Sequence, residues 1–297
     1  MNVDTLSSLD DVEAFEEDFE LTNTPCKPFV KWVGGKTQLL PVLQEWMPKR
    51  FSIYAEPFIG GGALFFATQP RHAVLSDANP RLVRTYKAIQ NDVDGVIATL
   101  RTYADAFVRC TAAGTDEQLY YHIRDTVQPD LMTDTELAAW FVVMNKTNFN
   151  GIYRVNAAGK MNVPYGKRKN PTICDETTLR ACSAALQRAT IVHRDFREVN
   201  VPATSFVFFD SPYAPLTATS DFTGYTASGF GPQDQKDLRD LALRLKHRGV
   251  YVLLSNSSAP LIRELYSDGF EIREVQARRN VNADATGRGA VTELLIR

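Results

Sequence analysis

The sequence predicts an α/β fold that is interrupted by one mainly helical insertion. Short apolar runs rich in aromatic and β-branched residues, at 206–209 and 250–256, are typical of buried strands. An amphipathic helical pattern over residues 234–246 lies between them, as expected where strands and helices alternate. Residues 91–171 break this alternation, because three helical patterns follow one another there without an intervening strand. The 297 residues suffice for one large or two modest domains.

The first strand–helix unit carries a glycine turn. Residues 53–56 predict a strand, and three glycines at 60–62 predict a tight turn into a helix. A second strand over 73–77 ends in Asp77, and Asn79-Pro80 predicts the start of the next helix. An acid at this strand end indicates a carboxylate for the hydroxyls of a ribose. These residues alone leave open a tight turn followed by a helix-capping Asp77.

The run at 206–209 is followed by the tetrapeptide Asp210-Ser211-Pro212-Tyr213. Ligands of open α/β sheets bind outside the carboxyl ends of the strands, so this turn is placed where a site is expected. By itself the tetrapeptide is also compatible with a proline turn that carries a solvated aspartate.

A Gly-Gly-Lys-Thr sequence at 34–37 suggests a phosphate-binding loop, but the required earlier glycine is replaced by Val30. We therefore interpret Lys36, at a predicted helix start, as a partner for an anionic group. Trp32 is either a core residue or an aromatic wall for a flat ligand.

The insertion combines helices with a basic polar segment. Helical patterns cover residues 93–103, 116–127 and 133–144. The following segment, 145–170, contains six basic residues and no acid, with Asn and aromatic residues interleaved. This composition favours contact with phosphates and bases of nucleic acid over the alternative, a solvated polar hairpin.

Charge is segregated along the chain. The net charge is −2, but residues 1–25 carry eight acids and no base. Without these eight, 27 acidic residues remain against 33 basic ones, a formal charge of +6. We interpret the segment as a solvated arm, and the alternative is a partner contact or a mimic of DNA charge.

Other features exclude some classes of protein. The four cysteines show no CxxC pairing and the four histidines do not cluster, so we expect no metal site and a reducing interior. No apolar run approaches the ~20 residues that span a bilayer, so we expect no membrane association. Near the end, we predict a loop over 222–231, a basic loop that includes 277–280 and 287–289, and a closing strand over 291–296.

Taken in order, the motifs resemble those of the Dam-type DNA adenine-N6 methyltransferases. They are Lys-Trp-Val-Gly-Gly-Lys from residue 31, Glu-Pro-Phe-Ile-Gly-Gly-Gly from 56, Ser-Asp-Ala-Asn from 76, Asn-Gly-Ile-Tyr-Arg-Val-Asn from 150 and Asp-Ser-Pro-Tyr from 210. The likeness runs from about residue 28 to 297. It implies a Rossmann-like S-adenosylmethionine-dependent methyltransferase sheet with an inserted, mainly helical DNA-recognition domain. The expected division is an arm over 1–26, a catalytic domain over 27–90 and 172–297, and a target-recognition domain over 91–171.

The resemblance also implies roles for particular residues. S-adenosylmethionine is the expected cofactor, bound by Trp32, Lys36, Glu56, Phe58, Gly60, Gly62, Asp77 and Asp210. The expected catalytic turn is Asp210, Ser211, Pro212 and Tyr213. The expected contacts to double-stranded DNA, within a GATC site, are Asn150, Ile152, Arg154, Asn156, Pro164, Lys167 and Arg168. The expected setting is the cytoplasm of a bacterial or phage-infected cell, at the nucleoid, without an obligatory protein partner.

One position departs from the family pattern, because proline is usual where this chain has Ser211. Its carbonyl remains available as an acceptor, but the stiffness of proline is lost. The same turn chemistry would serve cytosine-N4 or an adenine in RNA, and a DNA-binding homologue without catalysis is a further alternative. The presence together of Lys36, Asp77, Asp210 and Tyr213 favours an enzyme.

Overall fold

The computed structural model describes residues 26–216, 229–278 and 290–297. The acidic arm (apart from its last residue), most of the predicted 222–231 loop and residues 279–289 lie outside the described residues. No helix in the described ranges is long and apolar enough to cross a bilayer.

Seven strands are found among the described residues: β1 (Tyr54–Glu56), β2 (Ala73–Asp77), β3 (Ala189–His193), β4 (Phe206–Phe209), β5 (Tyr251–Ser257), β6 (Ile272–Arg278) and β7 (Ala290–Ile296). The same ranges contain the helices α1 (Leu40–Trp46), α2 (Ala63–Thr68), α3 (Pro80–Asn91), α4 (Val93–Ala113), α5 (Asp116–Thr126), α6 (Asp134–Thr147), α7 (Glu176–Leu186), α8 (Pro232–His247) and α9 (Pro260–Leu265).

The strands form one sheet in the order β3-β2-β1-β4-β5-β7-β6. The first five strands of this order are parallel, and β7 is antiparallel to both β5 and β6. The chain order reverses between β1 and β4, which pair directly through Tyr54 and Phe206. The turns after these two strands therefore lie side by side, at the point where ligands bind in such sheets.

Both faces of the sheet are buried at its centre, around β4. In β4, Phe206 and Phe208 belong to a core formed with α1 to α7, whereas Val207 and Phe209 belong to a core with α8 and α9. Alternate side chains of a strand point to opposite faces, so an all-apolar run can fill two cores at once. The apolar composition that predicted a buried strand at 206–209 is explained by this arrangement.

Most predicted elements are confirmed, with small shifts at the ends. The strands at 73–77 and 206–209 have the predicted bounds. Asn79 caps α3 by accepting hydrogen bonds from two backbone N–H groups, and Thr133 caps α6 with Glu136 in a capping box. Helix α4 continues past its predicted end at 103 until Gly114, whose φ of 69° ends it.

The prediction of a basic loop at 277–280 is wrong for its first two residues, because Ala277 and Arg278 lie in β6. Strand β3, β6, α7 and α9 were not predicted. Both β3 and β6 lie at the edges of the sheet, where only one neighbouring strand constrains the sequence, so their apolar signal is weak.

Helices α4 and α6 pack on α3, α5 packs on α4 and α6, and residues of these helices and of the sheet belong to one continuous core. The described residues 145–170 form an irregular hairpin, closed by the bridges Asn148–Tyr165 and Val155–Met161. We call this segment the hairpin. The division of the chain into a catalytic and a recognition domain stays a prediction.

Candidate active site

The turn after β4 is held by side chains from β5 and α8. Gln235 Nε2 donates to the Pro212 carbonyl (2.9 Å), and Asn256 Oδ1 accepts from the Ala214 N–H (3.0 Å). Ser257 Oγ donates to the Ala214 carbonyl (2.6 Å), and Asn256 Nδ2 donates to Gln235 Oε1 (3.0 Å). All three polar side chains are buried. A satisfied buried network of this kind fixes the backbone of the turn.

Lys36 and Asp210 form an ion pair at the start of this turn. Lys36 Nζ lies 2.6 Å from Asp210 Oδ1, and the lysine side chain is only 4% exposed. Ser255 Oγ donates to the same carboxylate oxygen (2.7 Å). No donor within the described residues reaches Asp210 Oδ2. One oxygen of the carboxylate is thus used to hold the side chain, and the other is available to a ligand.

The Tyr213 side chain is held by contacts to its hydroxyl and to its ring. Its hydroxyl donates to Glu293 Oε2 on β7 (2.6 Å), and Lys36 Nζ lies 4.7 Å from the centre of its ring. Burial, followed by the negative charge of Asp210, raises the pKa of Tyr213 well above its ordinary value. The side chain therefore remains a neutral hydrogen-bond donor with a fixed ring.

Ser211 is buried, and its Oγ lies 3.5 Å from Asn256 Nδ2. Its backbone carbonyl accepts no hydrogen bond from the described residues. The hydroxyl thus joins the network that holds the turn, while the carbonyl stays available as an acceptor.

Asp77 lies beside the glycine turn after β1. Its Oδ2 accepts from the Gly60 N–H (3.2 Å) and its Oδ1 from the Asn79 N–H (2.9 Å). Burial raises the pKa of Asp77 to about 6, and these two hydrogen bonds lower it by less than burial raises it. The carboxylate is therefore mainly ionised at neutral pH. Capping of α3 falls to Asn79, so Asp77 is not the helix cap that its position also allowed.

Trp32 packs directly on the glycine turn. A Cβ on Gly60 would lie 2.6 Å from Trp32 Cδ1, and a Cβ on Gly62 would lie 2.8 Å from the Tyr86 hydroxyl. Both glycines also have positive φ, 45° and 67°. The tryptophan stacks on Tyr153 with ring centres 6.0 Å apart, so the turn is in contact with the hairpin.

Glu56 and Phe58 flank the same turn. Glu56 is buried and accepts a hydrogen bond from the Tyr54 hydroxyl (2.7 Å); burial raises its pKa to about 8. Phe58 lies among aromatic rings, 5.3 Å from Phe196 and 5.8 Å from Phe230 between centres. A role for either residue in binding a cofactor stays a prediction.

All seven residues predicted to contact DNA lie on the hairpin. Arg154 is exposed, and Asn162 aligns it by accepting from Nε (2.7 Å) and from Nη2 (3.1 Å). Asn156 Oδ1 accepts from two N–H groups of the hairpin turn, and Lys167 Nζ lies 3.5 Å from Glu117. Asn150, Ile152 and Arg168 are partly buried, and Pro164 is exposed.

The hairpin is joined to the catalytic turns at its base. Buried Asn145 accepts from the Lys31 N–H and donates to the carbonyls of Lys31 and Gly151, each at 2.8 Å. Lys31 immediately precedes Trp32. The structure thus brings the predicted cofactor residues together and connects them to the predicted DNA residues through residues 31 and 32.

Sequence reasoning assigned no role to Gln235 or Glu293, although each forms a hydrogen bond with the turn after β4. Nothing in the local sequence distinguishes Gln235 from the exposed polar residues of an amphipathic helix. Glu293 lies within the predicted closing strand at 291–296, and nothing in that strand pattern indicates its partner.

The fold and site define a class of enzyme. A seven-stranded sheet in the order described, with a glycine turn after β1 and an acidic turn after β4, is the architecture of Rossmann-like methyltransferases. The sequence model of the D12 class of N6 adenine-specific DNA methyltransferases matches residues 32–281. The chain belongs to this family, and it acts on adenine in DNA.

Several relatives are similar over most of their length. The Type II methyltransferase M1.LlaDCHI of Lactococcus lactis subsp. cremoris is 40% identical over 277 residues, which are 91% of this chain and 94% of the relative. The Type II methyltransferase M.MjaIII of Methanocaldococcus jannaschii is also 40% identical, covering 91% and 98%. The DNA adenine methylase of Escherichia coli K12 is 30% identical, covering 91% and 94%.

The family implies S-adenosylmethionine as the methyl donor, and the residues present fit this molecule. Asp77 is a partly exposed carboxylate at the end of β2, suited to ribose hydroxyls. A role in holding its amino-acid group for Lys36 and Asp210, which pair with each other, stays a prediction. Among the described residues no group of three or more His, Cys, Asp and Glu side chains could hold a metal ion.

Proposed function

We propose that this protein transfers a methyl group from S-adenosylmethionine to N6 of an adenine in double-stranded DNA, within GATC, after the base leaves the helix. The observation that carries the proposal is the Asp210 carboxylate, of which one oxygen is held by Lys36 and Ser255 while the other has no donor among the described residues. Methylation at N6 of adenine is the chemistry of the family. Action on double-stranded DNA, the GATC sequence and base flipping are the proposed parts.

The turn after β4 supplies two acceptors for the target amine. The exocyclic amine is a weak nucleophile because its lone pair is delocalised into the ring. Hydrogen bonds from its two N–H groups to Asp210 Oδ2 and the Ser211 carbonyl draw the nitrogen toward tetrahedral geometry and localise the lone pair. When bound, S-adenosylmethionine supplies the electrophilic methyl group. The network around Asn256 and Gln235 holds both acceptors in place, which is a contribution of positioning.

Tyr213 is the proposed surface for the flipped adenine. Unstacking a base costs a few kcal/mol, and stacking on an aromatic ring offsets part of this. Its ring is held by Glu293 and Lys36, so no ordering of the side chain is needed when the base arrives.

GATC is proposed from the likeness of Arg154 to the arginine that Dam-type enzymes use on a guanine of this site. Its alignment by Asn162 supports the role, because a bidentate contact to guanine requires a fixed guanidinium. We further propose that the chain acts without an obligatory protein partner, on DNA in the cytoplasm of a bacterial or phage-infected cell. DNA adenine methylases of bacteria and a phage P1 enzyme among its relatives support this setting.

The test is methyl transfer from labelled S-adenosylmethionine by the purified chain to duplexes with and without GATC, followed by base-resolved mapping. Label at adenine within GATC is the expected result. Label at adenine in another sequence would keep the chemistry and overturn the role given to Arg154. Binding of DNA without any label would favour a homologue that has lost catalysis.

A further inference from the structure

Arg81 is a buried arginine that the proposed chemistry does not use. It is the second residue of α3, and its side chain is 11% exposed. Its Nε and Nη2 donate to the two carboxylate oxygens of Asp130, at 2.8 and 2.6 Å. Its Nη1 donates to the Gly159 carbonyl (2.7 Å) and lies 3.5 Å from the Tyr153 hydroxyl. The planar guanidinium thus provides hydrogen-bond donors to a carboxylate, a backbone carbonyl and a tyrosine hydroxyl at once.

These partners belong to different parts of the predicted recognition region. Asp130 lies in the 3-10 turn Pro129–Leu131 between α5 and α6. Tyr153 lies near the base of the hairpin, next to Arg154, and stacks on Phe141 (5.0 Å). Gly159 lies in the turn at the hairpin tip, beyond the bridge from Val155. One side chain therefore connects the tip and the base of the hairpin to the α5–α6 connection.

The backbone of Arg81 is connected to the proposed cofactor site. Its N–H donates to Asn79 Oδ1 (3.1 Å), and the Asn79 N–H donates to Asp77 Oδ1 (2.9 Å). Two hydrogen bonds thus link Arg81, which contacts the hairpin, to Asp77 at the end of β2, four positions earlier in the chain.

We propose that Arg81 is a positioning residue that holds the hairpin in register with the active site, and thereby sets how well the enzyme discriminates between DNA sequences. The inference rests on the proposed role of the hairpin in DNA recognition. Base contacts depend on the geometry of hydrogen-bond donors and acceptors at the base edges, whereas contacts to phosphates carry no sequence information. Loosening the hairpin should therefore weaken discrimination more than it weakens general affinity for DNA.

Arg84 provides a matched control. It lies one turn further along α3 and donates to Asp134, the first residue of α6 (2.5 Å), and to the Met132 carbonyl in the α5–α6 connection (2.7 Å). It makes no hydrogen bond to the described hairpin. Arg81→Lys and Arg84→Lys keep the positive charge. Each replaces the planar guanidinium and its N–H donors by a single ammonium group, which cannot form the same set of hydrogen bonds.

The experiment compares wild type, Arg81→Lys and Arg84→Lys on the preferred duplex and on the same duplex with one base pair changed. The measured quantity is kcat/KM on the preferred duplex divided by kcat/KM on the altered duplex. For Arg81→Lys we expect this ratio to fall about tenfold, the cost of one well-placed base contact. The Kd for an unrelated duplex and for S-adenosylmethionine should stay within about twofold of wild type. Arg84→Lys should keep the wild-type ratio.

An unchanged ratio in Arg81→Lys, or an equal fall in Arg84→Lys, would overturn the inference. If Arg81→Lys fails to fold, Asp130→Asn carries the test, because it removes the charged partner and keeps the arginine. We expect a smaller fall in the ratio for this variant, and a wild-type ratio would again overturn the inference. A wild-type enzyme that does not discriminate between the duplexes would instead contradict the proposed function.

Discussion

Lys36 and Asp210 are far apart in the sequence, yet Lys36 Nζ lies 2.6 Å from Asp210 Oδ1 in a site where the lysine is almost fully buried. The lysine comes from the loop before α1 and the aspartate from the turn after β4. Each charge is compensated by the other, and Ser255 adds a hydrogen bond to the aspartate. The pair therefore fixes one oxygen of the carboxylate, and in the proposed mechanism the second oxygen accepts a hydrogen bond from the target amine.

Asp210→Ala should reduce methyl transfer by more than about 10²-fold, since an acceptor aimed at the reacting amine is lost. Binding of S-adenosylmethionine and of DNA should partly persist, because other residues contribute to both sites. Single-turnover kinetics and separate binding titrations measure the two effects. Asp237→Ala, which removes a partly exposed aspartate that pairs with Arg197, is the control. Full activity in Asp210→Ala would remove this residue from the mechanism.

Ser211→Pro should hold or raise turnover. Proline keeps the carbonyl acceptor and restricts φ, which stiffens the turn. The lost contact of Ser211 Oγ with Asn256 Nδ2 is long (3.5 Å), and Asn256 keeps its bond to Gln235 (3.0 Å). The kcat on a methylatable duplex is the measurement. A large loss of kcat in a folded variant would show that the serine itself is required at this position.

Gln235→Leu should lower both stability and kcat. The leucine leaves the Pro212 carbonyl and Asn256 Nδ2 without their buried partner, at a cost of ~1–3 kcal/mol in the free energy of unfolding. The turn that carries Asp210 also loses a support, so kcat should fall more than KM rises. Gln233→Leu, on the same helix but exposed and bonded only to Asp237 among the described residues, is the control. A wild-type kcat in Gln235→Leu would contradict the positioning role of this residue.

Glu56→Gln should change how stability depends on pH. Burial raises the pKa of Glu56 to about 8 from an ordinary value of 4.5, so the folded protein holds a proton that the unfolded chain releases. The contribution of Glu56 to the free energy of unfolding therefore falls as pH rises from about 4.5 to 8, and levels off above that.

Urea unfolding of wild type and Glu56→Gln at several pH values isolates this contribution, because other groups titrate alike in both. The wild type should lose stability relative to the variant by up to about 1.4 kcal/mol per pH unit in this window. Parallel curves for the two proteins would show that Glu56 titrates normally. Glu45→Gln, at an exposed glutamate, should follow the wild type.

The class of enzyme and most of the helices and strands could be predicted from the amino-acid sequence alone. The Asp-Ser-Pro-Tyr turn, the glycine turn and the acid at Asp77 were identified with their flanking strands, because each strand is short, apolar and ends in a distinctive turn. Helix starts at Asn79 and Thr133 were also close to their observed positions, since caps are local hydrogen-bond patterns.

The order of the strands, the partners of the buried polar groups and the support of the hairpin were decided by the tertiary structure. Nothing near Gln235, Glu293 or Arg81 in the sequence indicates that each reaches a turn on another element. Gln235 and Arg81 donate to distant backbone carbonyls, which no sequence pattern marks, and Glu293 accepts from a tyrosine that lies 80 positions away in the chain. The residues proposed to be catalytic could therefore be predicted from the sequence, whereas the residues that hold them in place required the fold.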